Sequence, residues 1–258
     1  EVLEKAKSYG ISWLELDAKD VKESDRMHAM KELLTESGFQ VASIYEFFEF
    51  GKGQQGEEGY ALIDAAVQLG VNKAMVIPGF YEDSDEESRS KELEQMISAM
   101  KIMIDYAAEK GITVMIEDFD NENSPIATAQ QMDYFTKNLP ELRIAFDTGN
   151  FKYSAQSERE ALSILEDKIV HVHCKDRGLR PYQFENRASD SEENHITAVN
   201  QEKLYPVPVG SGCIELEYIL RRLMEKGYKG VFSIEHFGAR DQLLYMKESA
   251  RWLLEMFH

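Results

Sequence analysis

The chain has 258 residues, and 29 Lys and Arg against 47 Asp and Glu give it a formal charge of −18. Hydrophobic residues make up 43% and charged residues 29%, which is enough apolar material for a full core and excludes bulk disorder. The acid excess argues against binding a nucleic-acid backbone, which needs clustered Lys and Arg, and against a role at an anionic membrane surface.

The opening residues place Val2, Leu3 and Ala6 on one helical face. Helical spacings of three and four recur over 24–37, 57–69, 88–110, 127–138, 158–168, 215–226 and 242–257. Gly10, Gly38, Gly70, Gly111 and Gly227 each follow such a stretch, where a left-handed residue ends a helix at low cost. Short apolar runs lie between the helices, at 11–16, 39–45, 71–77, 112–116, 142–146, 169–174 and 230–234. Runs of this kind separated by helices predict a parallel sheet covered by helices.

Eight helices and seven strands point to an α/β fold, a (β/α)8 TIM barrel as one domain over 1–258. Closing such a barrel needs one strand ahead of residue 1, and the sequence begins at Glu1 rather than Met, so about ten N-terminal residues are expected to be absent from it. An open sheet needs no such strand. The stretch 177–212 exceeds ordinary connections and is expected to be an irregular functional loop. It carries Arg180, Arg187 and His195, the last expected at the surface. No apolar run is long enough to span a bilayer. Cys174 and Cys213 alone offer no disulfide framework, so a cytoplasmic location is expected.

Sites in parallel α/β barrels form at the carboxyl ends of strands. Glu117, Asp147, the pair His171 and His173, and Glu235 stand at four such ends. Singly each has a plain explanation: Asp147 can cap the turn through Thr148 and Gly149, and a histidine can be a satisfied core residue. Together, hard oxygen and imidazole donors suit one divalent ion, Mn²⁺, Mg²⁺, Co²⁺ or Zn²⁺. Converging carboxylates without a cation would raise one another's pKa. Lys175 and Arg177 share the strand parity of His173, so they are candidates for the same pocket. Tyr45, Phe47, Phe80, Phe119, Phe151 and Phe237 lie just beyond strand ends and could wall it. Glu15 ends the first strand and is a candidate for hydrogen bonding to substrate hydroxyls. The Gly210–Gly212 turn is a weak phosphate-binding candidate.

The ordered set Ile116-Glu117, Phe146 to Asn150 (F-D-T-G-N), His171 to Asp176 (H-V-H-x-K-D), Val209 to Gly212 (V-G-x-G) and Ser233 to Glu235 (S-I-E) resembles the xylose isomerase-like barrel superfamily over the whole chain. Within it, the set is most similar to the sugar-phosphate isomerase/epimerase family with ketose 3-epimerases and inosose dehydratase-like proteins. The resemblance implies metal ligands at Glu117, Asp147, His173 and Glu235, with His171 a pocket or supporting residue. It implies that Glu117 and Glu235 act as acid and base through an enediolate, beside Lys175. Asn150 stands where many relatives have His, and its amide can bind substrate but cannot shuttle a proton at neutral pH.

The expected activity is therefore a metal-dependent isomerase or epimerase of a sugar or polyol. A dehydratase of a keto-sugar or inosose would use the same metal and base. An apurinic-endonuclease type is disfavoured because Ile77, before Pro78-Gly79, stands where those enzymes have His. A non-enzymatic sugar-binding barrel would not require the full ligand set. The expected partner is a small-molecule sugar or polyol, with homo-oligomers common among such relatives.

Overall fold

A computed structural model describes residues 1–82, 84–184 and 194–257. Helix and strand alternate: α1 Val2–Ser8, β1 Trp13–Asp17, α2 Ser24–Ser37, β2 Gln40–Phe47, α3 Tyr60–Leu69, β3 Lys73–Ile77, α4 Glu86–Glu109 and β4 Thr113–Glu117. Then come α5 Ala129–Asn138, β5 Arg143–Asp147, α6 Glu158–Leu165, β6 Ile169–Cys174, the short strands β7 Asp176–Gly178, β8 Ile196–Thr197 and β9 Lys203–Val207, α7 Leu216–Glu225, β10 Phe232–Ile234 and α8 Gln242–Phe257.

Seven of the strands form one parallel sheet in the order β1-β2-β3-β4-β5-β6-β10. The sheet curls into a nearly closed barrel, since Glu15 on β1 touches His171 and His173 on β6, five positions away. All five helix-ending glycines have φ between 69° and 87°, the left-handed conformation that their placement predicts.

The period-two alternation of the strands separates two cores. Ile44, Ala74, Val76, Val114, Ile116, Ile144, Phe146 and Val172 face outward and pack against the helices. The inner face holds a small apolar plug of Met75, Ile77, Met115 and Ala145. On this same inner parity stand Glu15, Ser43, Glu117, Asp147, His171, His173, Ser233 and Glu235. The sequence therefore places polar donors above an apolar plug, at one end of the barrel.

The 177–212 stretch is more ordered than expected. Its described residues include a three-stranded antiparallel sheet, β7-β9-β8, with Arg177 paired to Pro206. Arg177 thus lies inside a strand, not beyond one. Arg187 lies outside the described residues, and Arg180 is exposed. His195 is half-buried, its ring 5.3 Å from that of Tyr205. No helix among the described residues is long and apolar enough to cross a membrane.

Candidate metal centre and active site

Glu117, Asp147, His173 and Glu235 each offer a ligand atom within 4.8 Å of the others. They come from the ends of β4, β5 and β6 and from the residue after β10. His173 is the hub. Its Nδ1 lies in short contact with Glu117 Oε1 and 2.9 Å from Glu235 Oε2. Its Nε2 lies 3.1 Å from both carboxylate oxygens of Glu15.

Two turns hold this cluster. Asp147 Oδ1 accepts from Gly149 N at 2.7 Å and Asn150 N at 2.9 Å. Asp147 therefore does cap its turn, while its Oδ2 points to the cluster with the Lys175 ammonium 3.0 Å away. Thr148 Oγ1 donates to Lys175 O at 2.7 Å and accepts from Lys175 N at 2.9 Å. A Cβ on Gly149 would lie 2.9 Å from Lys175 O, so only glycine lets the turn approach so closely. The F-D-T-G-N turn thus locks onto the strand that carries His173 and Lys175.

Lys175 is buried and sits 2.7 Å from Glu235 Oε1. It also donates to Asn150 Oδ1 at 2.9 Å. Asn150 Nδ2 in turn donates to Asp118 O at 2.8 Å, so the amide is engaged within the protein at both ends.

The second turn is organised by Asp176. Its Oδ2 accepts from Gly210 N at 3.0 Å and Gly212 N at 2.8 Å, and its Oδ1 accepts from Arg177 N at 2.8 Å and Ile214 N at 3.2 Å. The glycine turn considered for phosphate therefore already holds a carboxylate from its own chain. Burial pushes the Asp176 carboxyl up to about 6, against the pull of those four N–H groups.

The electrostatics are those of a site short of positive charge. Burial pushes Glu117 up to about 7, and the nearby Glu235 and Asp147 charges add to the rise against the pull of His173. Burial raises Asp147 as well, with Lys175 opposing. Burial also works against the Glu235 charge, but Lys175 and His173 outweigh it and hold that carboxyl well below the usual range. Burial opposes the charge on both bases, but Glu117 and Glu15 push His173 up, and Asp147, Glu235 and Glu117 push Lys175 up. Asp118, absent from the sequence-based set, is buried beside them. Its Oδ1 accepts from Asp147 N at 3.0 Å, and burial with the Asp147 and Glu117 charges raises its carboxyl well above normal. The adjacent acids in Glu117-Asp118 are the available signal, but only Glu117 stands within β4, on its inner face.

This donor set fits a hard divalent cation. Asp147 Oδ2 is buried with the Lys175 ammonium, 3.0 Å away, beside it and no well-aligned hydrogen bond. Three carboxylates face one ammonium and one imidazole, so a further positive charge relieves their repulsion. Carboxylate oxygens and one imidazole nitrogen match Mn²⁺, Mg²⁺, Co²⁺ or Zn²⁺.

The remaining predicted residues divide. His171 is buried, with Nε2 2.8 Å from Glu15 Oε1 and 3.3 Å from Ser233 Oγ. Arg177 is 2% exposed and pairs with Asp120 at 2.6 Å. Phe47, Phe80 and Phe119 form an edge-to-face group, with Tyr45 6.4 Å from Phe47 and all four beyond the β2, β3 and β4 ends or in the last turns of those strands. Phe151 is instead a core residue packed on Phe146, and Phe237 is 76% exposed, so neither belongs to that group.

A family model described as xylose isomerase-like TIM barrel matches residues 3–256. Among curated proteins, an inosose dehydratase of Geobacillus thermodenitrificans (strain NG80-2) is 24% identical over 147 residues, 56% of this chain and 47% of that protein. An inosose dehydratase of Lacticaseibacillus casei is 24% identical over 225 residues, 86% of this chain and 63% of that protein. The chain spans about half the length of the first curated relatives it matches. Among solved structures, a D-tagatose 3-epimerase-like protein superposes with TM-score 0.73 at 20% identity, covering 98% of this chain and 91% of that one. The IOLI protein with a bound zinc atom superposes with TM-score 0.71 at 16% identity, covering 99% and 91%. The match over nearly every residue, with the barrel and its strand-end donors in place, means that the chain belongs to the xylose isomerase-like TIM barrel family.

Proposed function

We infer that this barrel is a metal-dependent enzyme that moves a proton beside the carbonyl of a sugar or related polyol, interconverting isomers or epimers. The observation that carries this reading is the convergence of Glu117, Asp147, His173 and Glu235 within 4.8 Å. A divalent cation held by these four would polarise a carbonyl and acidify the adjacent C–H. Glu117 and Glu235 come from strands three positions apart in the sheet and both reach the same imidazole nitrogen. One carboxylate takes the proton from one carbon and the other returns one, which passes the substrate through an enediolate. Lys175 Nζ, beside Glu235, places positive charge where the enediolate oxygen develops. The aromatic group of Tyr45, Phe47, Phe80 and Phe119 offers C–H faces of the substrate an apolar wall.

Dehydration of a keto-sugar or inosose is the second reading, and the relatives named inosose dehydratase favour it. It begins with the same proton abstraction and ends with loss of a hydroxide from the next carbon.

The test is a panel of ketoses, aldoses and inososes incubated in deuterated water with added Mn²⁺. Solvent deuterium in a product of otherwise unchanged composition supports the isomerase or epimerase. Loss of water with an enone-type absorbance supports the dehydratase. A Glu235→Gln variant that folds normally should abolish either reaction, and undiminished turnover in it would overturn both readings.

A further inference from the structure

We propose that Glu15 is a positioning residue that fixes the ring of His173, with its proton on Nε2 and its Nδ1 lone pair aimed between Glu117 and Glu235. This rests on the reading above that the cluster holds a divalent ion, and it gives Glu15 a task other than contacting substrate.

Three side chains converge on one carboxylate. His173 Nε2 lies 3.1 Å from both Glu15 oxygens, His171 Nε2 lies 2.8 Å from Oε1, and Ser43 Oγ donates to Oε2 at 2.7 Å. A neutral imidazole carries one N–H and one lone pair. Nδ1 faces Glu117 and Glu235, so a cation held there would take its lone pair and leave the one N–H on Nε2, directed at Glu15. A carboxylate on the far nitrogen also raises the basicity of the ligating one and holds the ring plane.

Strand register builds the same arrangement independently. Leu14 pairs with Val41 but Glu15 pairs with Ser43, so the register of β1 and β2 slips by one residue at Ala42. Ile144 pairs with Ile169 but Ala145 pairs with His171, so β5 and β6 slip at Val170. Such irregularities re-aim side chains next to functional sites. Here each slip falls immediately before a residue that donates to Glu15. A second cation held by Glu15, His171 and His173, whose donors also lie within 4.8 Å, is the competing arrangement. It would require the His173 ring to bridge two metals with no proton at all, while Ser43 Oγ already donates to the Glu15 carboxylate.

The experiment is zinc titration by chelator competition on the full chain, for the wild type, Glu15→Gln and Ser43→Ala, together with ¹⁵N-resolved ring spectra of His173. The expected results are one zinc per chain, a downfield Nε2–H resonance in the wild type, and affinity lower by about ten- to a hundredfold in Glu15→Gln with loss of that resonance. Ser43→Ala, which keeps Glu15 but frees one of its oxygens, should weaken zinc binding by about two- to tenfold even if Glu15→Gln fails to fold. Wild-type affinity in both variants, a proton on Nδ1, or a second zinc equivalent lost on Glu15→Gln would overturn the assignment. If the wild type binds no zinc, the metal reading fails. The ring spectrum of the metal-free protein, at a pH where the imidazole is neutral, then still decides the role of Glu15: a proton on Nε2 upholds it and a proton on Nδ1 overturns it.

Discussion

Lys175 Nζ lies 2.7 Å from Glu235 Oε1, inside a cluster where it is the one lysine in contact with two of the carboxylates among the described residues. Breaking a buried pair of this kind leaves an uncompensated charge. The ammonium also repels any dication placed among the same acids. Lys175→Met is therefore expected to lower turnover by about a hundredfold or more, by removing charge stabilisation of the enediolate, while Mn²⁺ affinity is unchanged or tighter. Metal titration beside steady-state kinetics checks this. Parallel collapse of metal affinity and turnover would make Lys175 only a prop for the ligands.

The Glu117 carboxyl, pushed up to about 7, gives metal binding a pH dependence. The cation needs the carboxylate, so below that value proton and metal compete for the same oxygen. Apparent metal affinity should rise with pH, Glu117 contributing up to about tenfold per unit below pH 7, while His173, itself pushed up by Glu117 and Glu15, adds a proton that the metal must also displace and extends the rise above it. Glu117→Gln should weaken binding and reduce the slope below pH 7. A slope of the same size in the variant would assign the proton to another group.

Much of this was legible in the chain because local rules and global fold agree. Gly38 and Gly70 end helices whose apolar faces point to the sheet, and Glu117 and Asp147 follow outward-inward alternation that one can count along a strand. Glu15 was visible as a strand-end acid, but its partners were not, since Ser43 and His171 meet it only after two register slips that no residue type announces. Asp176 was seen only as part of a motif, because its four donors include backbone amides more than thirty residues away, and backbone groups carry no sequence signal. Arg177 was a pocket candidate, but the strand that holds it escaped for a related reason: that strand exists only through pairing with residues near Pro206, across the long connection.

Asp176 gives a test of stability separate from chemistry. Its two oxygens receive four N–H donors, so removing it leaves the buried Arg177 and Ile214 amides and the part-buried Gly210 and Gly212 amides without an acceptor. Asp176→Ala should cost about 2–4 kcal/mol in urea unfolding. Asp176→Asn should be little better, because its amide must turn N–H groups toward one of the two donor pairs. Gly212→Ala should be destabilising too, since a Cβ there collides with the Asp176 carboxylate and the Arg177 carbonyl. An Asn variant within about 0.5 kcal/mol of wild type would mean that the turn does not depend on the carboxylate.

Asp147 separates capping from metal binding within one side chain. Oδ1 accepts the Gly149 and Asn150 amides, and Oδ2 faces the other ligands with the Lys175 ammonium 3.0 Å away. Asp147→Asn can keep the carbonyl on the turn and lose the charge, so its fold should hold while metal affinity falls by at least about tenfold. Asp147→Ala loses both functions, and should show the same loss of affinity with an added cost of about 1–2 kcal/mol for the missing cap. Unfolding and metal titration on the same two variants resolve the contributions. If Asn matches wild type in metal affinity, Asp147 is a capping residue alone, and the cation is held by three side chains.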